Sequence, residues 1–170
     1  MDERDVRPAG PARDEPGMDS PEHGAPPPIL VSACLLGVAC NHIAEGRPVP
    51  AVAALAEANR VIPVCPEVAG GLPTPRPAAE LGADGRVRTA SGEDVTAFYE
   101  RGAAHSVAVA RAAGVERAVL KARSPSCGCH GIYDGTHRRV LVPGEGVTAA
   151  ALRRAGVEVV SEEDLGAEGY

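Results

Sequence analysis

The sequence predicts an α/β domain of three layers around a mostly parallel sheet. Three observations carry this prediction. Short apolar runs of four or five residues recur from Ile29 onward and are too short to be helices. Between them lie stretches with helical composition and helical stop signals. Three of the five cysteines follow such an apolar run.

The elements follow in chain order. Ile29–Ala33 (ILVSA) reads as a strand buried on both faces. Pro50–Asn59 (PAVAALAEAN) is an Ala-rich helix that opens on proline, where a missing N–H costs nothing. Val61–Val64 (VIPV) is a second strand, and Pro63 places it near a sheet edge because proline cannot donate to a ladder. Pro66–Pro77 reads as a Pro/Gly-rich loop, and the runs Ala79–Leu81 and Arg86–Thr89 flank a turn-like Ala83-Asp84-Gly85, the pattern of a small hairpin. Asp94–Ala113 is a long helix with Asp94 at its N-cap, Val95, Phe98, Val107 and Ala110 near one face, and Gly114 just past its end. Ala118–Lys121 is a third strand, followed by a Gly-rich loop from Arg123 to about Gly135. A short strand at Val140–Val142, a helix over Val147–Ala155 stopped by Gly156, and a strand at Val157–Val160 complete the pattern. Alternating strands and helices favour parallel pairing through right-handed crossovers, a Rossmann-like layout.

Composition narrows the function. Aromatic residues make up 2% of the chain, so the core is aliphatic and no stacking platform for nucleic-acid bases is expected. Net charge is −6, of which −4 falls in Met1–Pro28, leaving a body without a field that would steer it onto phosphates. No apolar run reaches membrane-span length and no secretory h-region opens the chain, so a cytoplasmic protein is expected. Met1–Pro28, with seven of the sixteen prolines and no apolar periodicity, reads as a disordered tail, the domain as residues 29–163, and residues 164–170 as a C-terminal tail. Met18 offers an alternative start within that tail.

Cysteines in such a compartment argue for ligands or nucleophiles rather than disulfides. Cys34 follows ILVSA at once, Cys65 follows VIPV at once, and Cys127 follows AVLK after a few loop residues, within Ser124-Pro125-Ser126-Cys127-Gly128. On parallel neighbouring strands all three thiols fall at the carboxyl edge, where open α/β sheets bind ligands. Packed small hydrophobes are the ordinary reading of a single Cys. Zinc sites favour local pairs, but the closest pairs here are Cys34/Cys40 and Cys127/Cys129, with no CxxC. Three thiolates also suit an iron–sulfur cluster with one iron left open.

At the level of whole motifs, the chain resembles the 2-thiouracil desulfurase family. The segments that carry the resemblance are SACLLGVAC (Ser32–Cys40), PVCPEVAGGLPTPRP (Pro63–Pro77), LKARSPSCG (Leu120–Gly128), IYDGT (Ile132–Thr136) and GEGVTAAALRRAG (Gly144–Gly156). The resemblance implies a 4Fe–4S cluster held by Cys34, Cys65 and Cys127, whose open iron takes up the thiocarbonyl sulfur of a 2-thiouracil-like nucleobase. It implies release of that sulfur as sulfide, with Glu67 as catalytic acid/base and Ser124 as catalytic serine. The chain departs from many relatives after Cys40, where Asn41–Gly46 replaces an Arg-Tyr-Asp-Gly stretch, and at His137, where a Phe is common.

Other residues keep two readings. Cys40 and Cys129 are either fourth ligands or bystander thiols. His130 is either a metal ligand near Cys127 or an exposed loop histidine. Arg76, between prolines, either holds a substrate group or pairs with a nearby acid. The alternatives to a desulfidase are a non-catalytic metal or cluster-binding protein and a ligand-binding regulatory domain with packed cysteines.

Overall fold

The computed structural model describes residues 26–166. The tail expected over Met1–Pro28, with Met18 and His23, lies outside the described residues except for its last three positions. The apolar run at the start forms β1 (Ile29–Ser32), and Ala33–Leu36 turns away from it as a 3-10 turn. Next come α1 (Pro50–Ala58), with proline in its first turn, and β2 (Val61–Val64). Where a loop is expected, Pro66–Ala69 forms a single helical turn, α2, again opened by proline. β3 (Ala79–Leu81) and β4 (Val87–Thr89) form the expected antiparallel hairpin. The long helix α3 (Thr96–Ala113) and β5 (Arg117–Leu120) follow. β6 (Gly131–Tyr133) and β7 (Leu141–Pro143) pair antiparallel, and α4 (Val147–Arg154) and β8 (Glu158–Ser161) finish the sheet. Among the described residues no helix is long and apolar enough to cross a membrane.

The four main strands are all parallel, in the order β2-β1-β5-β8. β2 is therefore an edge strand, which is how Pro63 is tolerated inside it. The chain steps from β1 outward to β2, then returns past β1 to β5. Crossovers of one hand that run in opposite directions place their helices on opposite faces. Leu30, Ala118 and Leu120 accordingly pack with Ala110 of α3 and Leu152 of α4, while Ile29, Val31 and Val119 pack with Val52 of α1. Each such Leu or Val buried from water contributes about 1.5–3 kcal/mol. The result is a three-layer Rossmann-like fold with an aliphatic core, as composition requires.

Three local expectations are corrected. Val95, not Asp94, is the N-cap of α3; Asp94 acts one position earlier, its Oδ1 accepting both the N–H and the hydroxyl of Thr96. The buried stripe of α3 runs through Tyr99, Gly102, Ser106 and Ala110, leaving Phe98 and Val107 half-buried. The reason lies in the contact between α3 and α2: a Cβ on Gly102 would sit 2.0 Å from the Pro66 carbonyl oxygen, and one on Gly70 would sit 1.9 Å from that of Phe98. Backbone meets backbone there, so the helix turns its glycine inward. The Gly-rich segment after Arg123 also contains β6, which was expected to be loop.

Candidate active site

Cys34, Cys65 and Cys127 all face one cavity of about 630 Å³, within the range of small-ligand pockets. Their strands, β1, β2 and β5, are neighbours in the sheet, and parallel strands lie about 4.8 Å apart. Because those strands end on the same edge, three thiols far apart in sequence become neighbours. Cys34 sits on the 3-10 turn after β1, and Cys65 lies between β2 and α2. Cys127 is carried by the loop after β5, which is buttressed from behind by α4: Thr148 N–H donates to the Ser126 carbonyl, and the Ser126 and Thr148 hydroxyls share a buried hydrogen bond of 2.8 Å.

The thiols sense one another. Burial pushes the Cys34 thiol up, and the charge of Cys65 adds to this while Lys121 opposes it. Cys127 is buried and is pushed up to about 12, first by burial and then by Glu67, Cys34 and Cys65, against a hydrogen bond with Ser32. Without a cation beside them the Cys34 and Cys127 thiols therefore hold their protons, and a positively charged metal centre is what would ionise them. Thiolates on one tetrahedral zinc lie about 3.8 Å apart. Among the described residues the one trio of Cys, His and carboxylate ligand atoms lying within 4.8 Å of one another is Cys129, His130 and Asp164, outside this cavity. Three soft donors set together in a roomy cavity fit a polynuclear iron–sulfur group.

Glu67 enters the same cavity from α2, two residues after Cys65. Its carboxylate accepts from Arg76 Nε–H at 2.7 Å. Arg76 is a hub: Nη2–H donates to the Cys40 carbonyl at 3.0 Å, Nη1–H reaches the Pro73 carbonyl and Thr74 Oγ1, and its backbone N–H donates to the His42 carbonyl. Of the two readings of Arg76, pairing with an acid is the one the structure brings about. These bonds tie the Asn41–Gly46 side of the pocket to the turn that carries Glu67. Tyr99 of α3 lies buried behind Glu67; burial, then the carboxylate's charge and hydrogen bond, keep its phenol protonated.

Ser124 also lines the cavity. Its Oγ accepts the N–H groups of Ser126 and Cys127, both at 3.1 Å, so it shapes the turn that carries the third thiol. Its own hydroxyl proton remains available as a donor. Cys40 is buried in the cavity wall, and its thiol is pushed up to about 12 by burial, the nearby Cys65 charge and a hydrogen bond with Cys65. Cys129, by contrast, is packed in the core behind the Cys127 loop and does not line this cavity.

Sequence reasoning passed over Tyr99, Lys121 and Glu162. Lys121 Nζ pairs with Glu162, whose second oxygen accepts the Ala122 N–H at 2.7 Å, which anchors the start of the loop leading to Ser124. The available signals were a Lys at the last position of a strand-like run and a pair of acids after the final strand, both of which usually mean a solvated surface.

The comparisons with known proteins agree with this geometry. The family profile described as 2-thiouracil desulfurase matches residues 29–164. The uncharacterized protein YbbK of Bacillus subtilis (strain 168) is 40% identical over 146 residues, covering 81% of this chain and 97% of that protein. A solved structure described as a 4Fe–4S-dependent thiouracil desulfidase, TudS, matches with a TM-score of 0.79 and 44% identity over 84% of this chain and 95% of its own. A thiol-lined strand edge, a profile spanning the whole sheet and a superposable solved relative converge on one statement: the chain belongs to the 2-thiouracil desulfurase family.

Proposed function

We propose that the cavity is the active site of a 4Fe–4S-dependent desulfidase that converts the thiocarbonyl of a 2-thiouracil-like base to a carbonyl. Water supplies the oxygen and the sulfur leaves as hydrogen sulfide, so the reaction is a balanced hydrolysis. The observation that carries this reading is the meeting of Cys34, Cys65 and Cys127 with Glu67 in one cavity at the ends of three adjacent strands.

Cys34, Cys65 and Cys127 would hold the cluster through their sulfurs, with no fourth thiol assigned to it. When bound, the cluster supplies a thiophilic Lewis acid that makes sulfur a better leaving group. Glu67 takes a proton from the attacking water and returns it to the departing side, the task of a positioned general base and acid. Arg76 fixes the direction of that carboxylate, since a guanidinium engaged on four acceptors does not swing freely. Ser124 directs its hydroxyl proton at the polar edge of the base, and its two accepted N–H bonds set the direction of that proton.

Anaerobic reconstitution with iron and sulfide, followed by incubation with 2-thiouracil, tests the reading. Sulfide and uracil should appear in equal amounts. A fully reconstituted protein that releases sulfide from no thio-nucleobase would remove the desulfidase and leave a cluster-binding protein.

A further inference from the structure

Behind the Cys127 loop, away from the cavity of the proposed reaction, lies a second group of ligand-type side chains. The sulfur of Cys129, a ring nitrogen of His130 and a carboxylate oxygen of Asp164 lie within 4.8 Å of one another. Cys129 and His130 are consecutive in the loop leading into β6. Asp164 comes from the turn after β8, 34 residues beyond His130. The fold thus assembles this trio from two distant segments. His130 Nε2 and Asp164 Oδ2 are 2.7 Å apart, and the same oxygen accepts the Ser161 N–H at 2.8 Å, which fixes the carboxylate against the end of β8.

An independent feature adjoins the trio. A second cavity of about 310 Å³ is lined by Cys129, His130, Ser161 and Glu163, and it shares Ala122 and Arg123 with the wall of the first cavity. It borders the trio on the side of Cys129 and His130 and leaves room there for a water on a fourth coordination position. Of the three donors, Cys129 is buried at 4% exposure while the His130 ring is 62% exposed, so the inner ligand is fixed and the outer one is free to adjust.

We propose that Cys129, His130 and Asp164 form a mononuclear site for a borderline divalent cation of the zinc class. One sulfur, one imidazole nitrogen and one carboxylate oxygen are the donor types that zinc accepts in a tetrahedral site with water as fourth ligand. Hard cations such as magnesium and calcium seek oxygen-only sites, so a thiol and an imidazole select against them. On binding, the Cys129 sulfur exchanges its proton for the metal, and one proton is released per ion. The His130–Asp164 hydrogen bond opens to about 3.3 Å, the donor spacing on tetrahedral zinc, within reach of a ring rotation of an exposed histidine. The ion would tie the last turn of the domain to the loop that carries Cys127, two residues before Cys129.

The test uses the cluster-reconstituted protein. It is equilibrated anaerobically with excess zinc, passed through a desalting column and analysed for zinc and iron together; cobalt(II) in a parallel sample reports thiolate coordination by its charge-transfer absorption. The wild type should retain one zinc per chain with its iron unchanged, and cobalt should show the thiolate band. Cys129→Ser should abolish the band and the retained zinc, while His130→Ala and Asp164→Asn should each weaken zinc retention by at least about tenfold. Three results would each overturn the site: no zinc retained by the wild type, equal retention in all three variants, or zinc gained only as iron is lost. The zinc count does not depend on sulfide release, so this site and the desulfidase reading fail separately.

Discussion

Arg76 Nε lies 2.7 Å from Glu67 Oε2, and both side chains are withdrawn from solvent, at 4% and 14% exposure. The pair links the helical turn that follows Cys65 to a proline-rich segment nine residues later. Removing one partner of such a buried pair leaves the other charge without compensation, at a cost of about 3–5 kcal/mol. Arg76→Met should therefore lower the thermal midpoint by many degrees. Arg76→Lys keeps a charge but loses the fork that reaches Cys40, Pro73 and Thr74. It should fold, retain iron and lose turnover. A Lys variant with wild-type turnover would reduce Arg76 to a structural ion pair.

Glu67 is where the chemistry is assigned. Glu67→Gln keeps the shape and a hydrogen-bonding edge for Arg76 but cannot take a proton at neutral pH. Turnover should fall by about 10²–10⁴, with the cluster's visible absorbance and iron content preserved. Absorbance lost together with activity would make Glu67 a support for the cluster instead.

Ser124 has two duties that can be separated. As acceptor of the Ser126 and Cys127 N–H groups it holds the third thiol in place. Ser124→Ala leaves those groups without their partner, at a cost of about 1–3 kcal/mol. Iron should then leave faster when a chelator is added, and turnover should fall. Ser124→Thr keeps the acceptor oxygen and should keep the iron. Chelator-driven cluster loss that is equal in Ser124→Ala and the wild type would show that the turn does not need this hydroxyl.

Gly102 gives a test from a distance. A methyl there would sit 2.0 Å from the Pro66 carbonyl oxygen, so α3 and the turn bearing Glu67 must move apart. Gly102→Ala should cost about 1–3 kcal/mol in chemical denaturation despite the better helix propensity of alanine, and should lower iron per chain by displacing Cys65. Unchanged stability and iron content would mean that Cys65 is held independently of the packing between α2 and α3.

Much of this protein is legible from local pattern. ILVS, VIPV and RAVL are strands because short β-rich apolar runs bounded by turns have no other way to bury themselves, and Pro63 marks the edge because a missing donor is tolerated there. Gly114 ends α3 in the left-handed conformation, as its position predicts. The convergence of Cys34, Cys65 and Cys127 is also readable, since parallel strands must end on a common edge. Two misreadings have a shared cause. β6 begins at a glycine and has only three residues, so it is a strand only through its pairing with β7. The buried face of α3 is chosen by the backbone of Pro66, to which periodicity is blind.

By itself the sequence determined the alternation of strands and helices, the aliphatic core and the edge on which the thiols stand, because each follows from properties carried within a few residues. Only the tertiary structure decided which acid Arg76 would meet, that Ser124 would brace the Cys127 turn, and that Cys129, His130 and Asp164 would share a corner. Those partners are set by how loops from different strands pack over a common edge, and distance along the chain carries no record of that packing.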